Sequence, residues 1–481
     1  MNDFDGRFEN LERVHLMGIG GAGMSGLALL LRQIGMKISG CDVSHTYYIN
    51  KISPHGIEFT LGHDKEHLDR FKPDAIVFSS AIPSETEELV EAARRGIRIF
   101  KRAEVLSWLF NMRKGIGVAG THGKTTTASM IGLILESAGL DPSVAIGGEI
   151  CDIGGNAKLG QGAHMVAELD ESDGSFELFR PHVAIVTNAD WDHVDYYPSF
   201  SSVLKAYERF LSNREPGGAA IVCGEDKGLS VLLQNRINGT HLTYGWGSRW
   251  DWGAQDVRHN RGGGITFTLS KNGTPACEIS LQVSGEHNVL NSLAACAATD
   301  TIGIPLEVAS QALRTFKGAK RRLQHMGSIG ALEVDIFDDY GHHPREIAAT
   351  LGTLKKMFPE RRVMAVFQPH RFTRTAAMYR DFAEVLSMAD GVFLLPVFPA
   401  DEMPIEGVSS TLIGDILKQK GHKGYDFCSD MDEVVTRICS RVREGDVIAT
   451  IGAGDVSIVG EKIQQRLERK GVTLDAVAIK A

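Results

Sequence analysis

The stretch Gly117 to Ile131, GVAGTHGKTTTASMI, gathers the residues best suited to hold a phosphate chain. Gly120, Thr121, His122, Gly123, Lys124, Thr125 and Thr126 follow the apolar lead-in of Ile116 and Val118 and precede the helix-forming run Ala128 to Leu135. Strand, glycine-rich turn and helix make a cradle whose backbone N–H groups point at phosphate oxygens. The glycines let the backbone close around the anion. In such a cradle Lys124 reaches the β and γ phosphates and the Thr125 hydroxyl joins the shell of a Mg²⁺ ion. The full phosphate-loop pattern wants a glycine at position 118, where this chain has Val118, so the loop is of a shortened type. An ordinary strand-to-helix turn is the competing reading.

Two further strand ends carry metal-ligand residue types. Met165 to Leu169 reads as an apolar strand interrupted by Glu168 and followed by Asp170, Glu171 and Asp173. A carboxylate at the end of a buried strand is costly unless it pairs or binds a cation, which makes Glu168 a second Mg²⁺ ligand candidate. The neighbouring acids read as mostly solvated. His182 to Val186 is the next strand and runs into Asn188, Asp190, Asp192, His193 and Asp195. Ligands bind at the carboxyl ends of parallel strands. His193 can offer one ring nitrogen to a metal while a carboxylate or carbonyl holds the other. Mg²⁺ prefers oxygen ligands, so Mn²⁺, which accepts imidazole more readily, is an acceptable substitute.

The elements around these residues are of the α/β kind. Val14 to Met17 is a short strand, followed by Gly18, Gly20, Gly21, Gly23, Met24 and Ser25 and then by a helix from Leu27 to Ile34. Asp42 ends the next strand about twenty residues on, the spacing of a Rossmann-like nucleotide site. Further βα units follow: strands at 75–79 and 97–100, helices at 84–95 and 103–110. His45, Tyr47, Tyr48, His55 and His63 have no metal-site spacing and read as surface or loop residues. Arg113 to Gly115 reads as a linker.

From His241 to Val283 short alternating runs read as antiparallel hairpins. Trp246, Trp250 and Trp252 there suit either an aromatic wall or loop packing. Asn288 and Asn291 are three apart and share a helical face. Gly318 to Arg322 reads as a second linker. The last third is a second Rossmann-like unit with polar residues at three strand ends. These are Asp339, Tyr340, His342 and His343; His370, Arg371 and Arg374; and Gly452 to Asp455. His370, Arg371 and Arg374 form an anion site, with the two guanidinium groups suited to bidentate pairing with a carboxylate or phosphate.

The chain has 481 residues, which predicts several domains, divided here as 1–114, 115–321 and 322–481. A net charge of −9 argues against a general nucleic-acid binder. Seven cysteines without CxxC spacing argue against a disulfide scaffold or zinc ribbon. No signal-peptide pattern and no run of 18 apolar residues occurs, so no membrane association is expected and the cytoplasm is the expected compartment.

The motifs HLMGIGGAGMSGLA, GVAGTHGKTTT, AELDESDGSF, DWDHVDYY, GEHNVLNSLAA, DDYGHHPREI, FQPHRFTRT and GAGDV stand in one order along nearly the whole chain. Together they resemble the Mur ligase family. The resemblance implies a three-domain α/β architecture, with Rossmann-like terminal domains around a central P-loop ATPase domain. It implies that the first domain holds UDP rather than NAD, and that Gly18, Gly20, Gly21, Gly23, Met24, Ser25 and Asp42 bind that substrate. It implies ATP on Gly120 to Thr126, with Lys124 on the γ phosphate and Thr125, Glu168 and His193 on the metal. Asn288, Asn291, Arg322 and Asp339 then surround the nucleotide and the reacting groups. Tyr340, His342, His370, Arg371 and Arg374 receive the amino acid and the reacting carboxylate. Lys124, His193, Asn291, Arg322, Asp339, His342, Arg371 and Arg374 are the implied catalytic set. Within the family, FQPHRFTRT points to members that join L-alanine to UDP-N-acetylmuramate, acting as a monomer or weak homo-oligomer. Members that attach a recycled murein peptide are the alternative. Several members carry a carbamylated lysine after the metal histidine. Here the matching position is Glu208, and Lys205 is not assigned that role.

Overall fold

Alternating short apolar runs and amphipathic segments fold into three largely parallel sheets with helices on their faces. The computed structural model describes residues 5–8, 10–150, 155–191, 196–234, 237, 239, 241–260, 264–400, 402–422 and 424–478. Met1–Val283 with His287–Ala319 make one compact unit, and Ser284–Glu286 with Lys320–Ala481 make a second.

The first sheet of the first unit is parallel, in the order Glu58–Leu61, Lys37–Asp42, Arg13–Met17, Ala75–Phe78, Arg98–Lys101. The chain order reverses beside Arg13–Met17, so the glycine loop that follows this strand lies at the switch point where such sheets take ligands. The next helix is Ala22–Gln33. It begins five residues before the sequence-predicted start at Leu27, because Gly23 and Ser25 are tolerated in a first turn whose buried side is Met24, Leu27 and Ala28.

The second sheet is built around Lys114–Ala119, paired in parallel with Val183–Val186 on one side and His164–Glu168 on the other. Lys114 and Gly115, read above as linker, are therefore strand residues. The register sets Val118 beside Glu168 and Ala119 beside Val186, so three strand ends open at one place. Helix Lys124–Ser137 starts at the phosphate loop itself, four residues earlier than predicted. Its first turn takes Thr125, Thr126 and Thr127 because their faces are buried. The run from His241 is only partly antiparallel. His241–Trp246 pairs in parallel with Ala219–Cys223, and antiparallel pairing begins at Trp252–His259. Trp252 is core, and Trp250 packs against Gly224 and Gly245 with its Nε1 donating to Glu225, so these tryptophans serve loop packing. One apolar core runs through both sheets of this unit, from Phe8 to Phe316.

The second unit holds a six-stranded sheet in the order Gln324–Ile329, Val334–Asp339, Val447–Ile451, Val363–Phe367, Gly391–Leu394, Tyr425–Phe427. Only the first pair is antiparallel. Asp339, Ile451 and Phe367 stand in register at the carboxyl ends of adjacent strands.

Candidate active site

In the first unit the phosphate loop is fixed from both sides. Gly120 has φ +124° and Gly123 has φ +81°, both in the region that disfavours side chains. A Cβ at Gly120 would lie 2.2 Å from Thr187 Oγ1, and one at Gly123 would lie 2.6 Å from Asn291 Oδ1. His122 N donates to Asn188 Oδ1 at 2.8 Å, and the Thr187 hydroxyl donates to His122 O at 2.6 Å. The His122 ring meets Asp190 at 3.0 Å. Thr127 Oγ1 donates to Asn291 Oδ1, and Asn291 Nδ2 donates to Asn288 Oδ1 at 3.1 Å, which confirms the shared helical face.

Lys124, the first residue of its helix, is drawn into the loop. Its Nζ donates to Gly120 O at 2.7 Å and to both oxygens of Glu171 at 2.9 and 3.1 Å. Glu171 is 3% exposed, so it is not one of the solvated acids that the sequence predicted. Burial is the largest influence on Lys124 and lowers its proton affinity. Glu171, Asp170 and Glu168 together outweigh it and hold the ammonium charged, above its ordinary range. Sequence reasoning missed Glu171. The available signal was a third acid within AELDES, next to the Asp170 that ends up exposed.

Glu168 Oε2 accepts from the Thr125 hydroxyl at 2.9 Å and from Gly147 N at 2.8 Å. This hydroxyl–carboxylate pair is an all-oxygen donor set beside Lys124, and it fits the hard-cation chemistry of Mg²⁺. His193, predicted as the third ligand, lies outside the described residues.

A cavity of about 260 Å³ leads from Glu168 and Asp170 past Gly147 and Asn156 to the glycine loop at Gly21 to Met24. Arg102 lines it and packs against Gly23, and sequence reasoning gave it no role. Asp42 Oδ2 accepts from Gly20 N at 2.9 Å, and Thr46 Oγ1 donates to Gly20 O, so both hold the loop in shape. Met24 is buried, and the buried Ser25 hydroxyl turns back to Ala22 O.

In the second unit Asp339 accepts from Leu323 N and Gly341 N, each at 2.7 Å. Burial, offset in part by Arg322 and these N–H groups, pushes its carboxyl up to about 6. The guanidinium of Arg322 lies 5.3 Å from the Tyr340 ring centre and 3.6 Å from Glu346. Arg321 was read only as part of a basic linker. It clamps Asp338, Gly452 O and Gly454 O at 2.7 to 2.9 Å and so ties two strand ends together. His342 N donates to Glu346, and its ring lies 5.9 Å from that of His370.

His370 stacks on Phe398, and Arg374 Nη1 lies 3.5 Å from His370 Nδ1. Burial, helped by His342, Arg374 and Arg371, pushes the His370 ring down to about 3. The ring is then neutral, so within the predicted His370–Arg371–Arg374 anion site the positive charge is that of Arg371 and Arg374. Arg371 has φ +72° and ψ 137°, a conformation that only glycine adopts without strain, and its N–H is pinned to Phe398 O.

Three family models match the chain: "Mur ligase family, catalytic domain" over residues 13–114, "Mur ligase middle domain" over 118–299 and "Mur ligase, glutamate ligase domain" over 321–454. UDP-N-acetylmuramate–L-alanine ligase of Carboxydothermus hydrogenoformans is 42% identical over 94% of this chain and 96% of its own length. The crystal structure of UDP-N-acetylmuramate-alanine ligase from Thermotoga maritima is 29% identical, with a TM-score of 0.81 over 96% of this chain and all of that one. A murein peptide ligase from Psychrobacter arcticus is 25% identical, with a TM-score of 0.71 over 95% and 99% of the two chains.

Proposed function

The chain belongs to the Mur ligase family, and from that premise we propose that it joins L-alanine to the lactyl carboxylate of UDP-N-acetylmuramate at the expense of ATP. This is a step of peptidoglycan precursor synthesis, placed in the cytoplasm and carried out by a monomer or weak homo-oligomer. Among the described residues no helix is long and apolar enough to cross a membrane. The likeness to alanine ligases is greater than that to the murein peptide ligase, which favours alanine over a recycled peptide.

The observation that carries the reading is the Lys124 ammonium, held in a glycine cradle 2.7 Å from Gly120 O, with the Thr125–Glu168 oxygen pair on the adjoining strand end. A carboxylate oxygen is a poor leaving group, so the carboxylate must be activated before an amine can displace it. One lactyl oxygen attacks the γ phosphorus of ATP and ADP leaves, giving an acyl phosphate. The uncharged amine of alanine then attacks the acyl carbon, the C–O bond breaks, phosphate departs with that oxygen, and the proton lost by the nitrogen passes to the departing phosphate or to solvent. Lys124 and the N–H groups at the helix start face the charge that develops on the transferred phosphoryl group. Thr125, Glu168 and His193 would hold Mg²⁺, which when bound neutralises phosphate charge. The glycine loop and Arg102 line the path for the UDP substrate, and Arg371 and Arg374 orient carboxylates. Orientation supplies the rate gain of the amide step in place of a nucleophilic side chain.

The test is transfer of label. With the lactyl carboxylate of UDP-N-acetylmuramate enriched in ¹⁸O, inorganic phosphate formed in the presence of ATP and alanine should carry the isotope. Turnover with unlabelled phosphate would rule out the acyl-phosphate route.

A further inference from the structure

Four side chains that the ligase chemistry does not use converge on the far side of the first sheet from its core helix. His15 comes from strand Arg13–Met17, Cys41 from Lys37–Asp42, His67 from helix Glu66–Phe71 and Glu88 from helix Glu87–Arg94. All four are buried, His15, Cys41 and Glu88 completely. One potential ligand atom from each lies within 4.8 Å of all the others. His15 Nε2 is 3.0 Å from Glu88 Oε1 and 3.4 Å from Cys41 Sγ. Glu88 Oε2 is 3.2 Å from His67 Nδ1 and 3.4 Å from Cys41 Sγ.

We propose that His15, Cys41, His67 and Glu88 form a binding site for a thiophilic transition-metal ion, Zn²⁺ by its donor chemistry, distinct from the ATP-linked cation site. Zn²⁺ bonds nitrogen and oxygen at about 2.0–2.2 Å and sulfur at about 2.3 Å, so tetrahedral ligands around it sit roughly 3.3–3.6 Å apart. The four close separations of 3.0 to 3.4 Å are within a few tenths of that spacing, with His15 and His67 facing different oxygens of Glu88, and one atom from each residue keeps all pairs within 4.8 Å. Three of these contacts are also hydrogen bonds, and the fourth is the exception. Glu88 Oε1 is buried and makes no hydrogen bond, although a ring nitrogen lies 3.0 Å away. Donor and acceptor are close but not aimed at each other, which is the arrangement of two ligands aimed at a third atom.

The surroundings are those of a metal-binding histidine. His15 Nδ1 lies 2.9 Å from the buried Ser39 Oγ. That partner fixes the ring and leaves Nε2 to face the cluster, as second partners of ligating histidines do. His63 Nδ1 is 3.1 Å from Cys41 Sγ on the half-buried side of the cluster. The next contact inward reaches the glycine loop, since Cys41 O accepts from Gly18 N and Ile19 N at 2.8 and 3.2 Å.

The test uses the full chain, purified with chelator and reductant, freed of both without air, and titrated with Co²⁺ in excess Mg²⁺. One equivalent should give the near-ultraviolet charge-transfer absorption of a Co²⁺–thiolate bond, and Zn²⁺ should remove it. Folded Cys41→Ser should lack the band. His67→Gln, which removes the least buried of the four ligands, should keep the band but weaken Co²⁺ binding by at least about 10-fold, since even loss of an outer-shell partner costs that much. A wild-type protein without the band, a band unchanged in Cys41→Ser, or full affinity in His67→Gln would each overturn the assignment.

Discussion

Replacing Lys124 should do more than remove a phosphate contact. Its side chain is 12% exposed and ion-paired to Glu171, which is 3% exposed. An open-site lysine would be lost without structural cost. Here Lys124→Met takes the ammonium partner away from a buried carboxylate, and breaking a buried pair by removing one member costs about 3–5 kcal/mol. Loss of a preorganised charge at the transferred phosphoryl group should also lower kcat by roughly 10²-fold or more. The two effects separate in the double variant Lys124→Met/Glu171→Gln. With both charges gone, stability should return to within about 1 kcal/mol of the original, since neutral replacement of a buried pair is often harmless. Turnover should stay low, because the phosphate still lacks its cation. Chemical unfolding of the ligand-free protein and steady-state release of ADP measure the two quantities. If Lys124→Met unfolds with the parent, the buried pair has been misjudged. If the double variant turns over normally, Lys124 has no part in the chemistry.

Two further outcomes follow from the second unit. Asp339, at about 6 in the fold against about 3.9 in an unfolded chain, binds more protons when folded; its ionised form therefore costs stability that is absent below about pH 4 and fully present above about pH 6, roughly 3 kcal/mol across that window. Relative to Asp339→Asn, the unfolding free energy should fall as pH rises from 4 to 6, and an identical slope in the two proteins would refute the assignment. Arg371→Gly should relieve about 1–3 kcal/mol of backbone strain and raise the melting temperature while use of alanine or muramate collapses. Arg371→Lys should keep the strain and the charge, lose the planar fork and impair the same substrates. A glycine variant no more stable than its parent would show that the conformation is unstrained.

The parts of the fold that could be read from the sequence are those with a local cause. Apolar runs of four to six residues followed by glycines located the strand ends at Met17, Ala119 and Ile451, because a buried parallel strand has to be apolar on both faces. Helix starts were read too late at Ala22 and Lys124. Glycine, serine and threonine there weaken a propensity reading, while tertiary burial of the first turn decides the matter. The meeting of Lys124, Thr125 and Glu168 was legible because their positions attach to a turn and to a strand end. Glu171 and Arg321 were not, since each acts on groups brought close only by pairing of distant strands: Glu171 on the phosphate loop, Arg321 on Gly452 and Gly454. The His15–Cys41–His67–Glu88 cluster was missed for the same reason. Its members are 21 to 73 positions apart, spacings that no local pattern encodes, and the histidines that do lie close in sequence drew attention instead.

The paired charges also bear on how a ligand can enter. Without phosphate, Lys124 does not wait as a bare cation in a closed loop. Glu171 and two backbone carbonyls already satisfy it, so the desolvation of the ammonium has been met before any ligand arrives. On the proposed function a phosphate oxygen would exchange with a carboxylate oxygen, and the cost of binding would fall on Glu171, which must give up or share its partner. Glu171→Gln should therefore keep turnover while tightening ATP, because a neutral amide competes less well for Nζ than a carboxylate does. Equilibrium binding of ATP to the two proteins measures the difference. Weaker binding by Glu171→Gln would mean that the acid holds Lys124 in position rather than competing with the nucleotide.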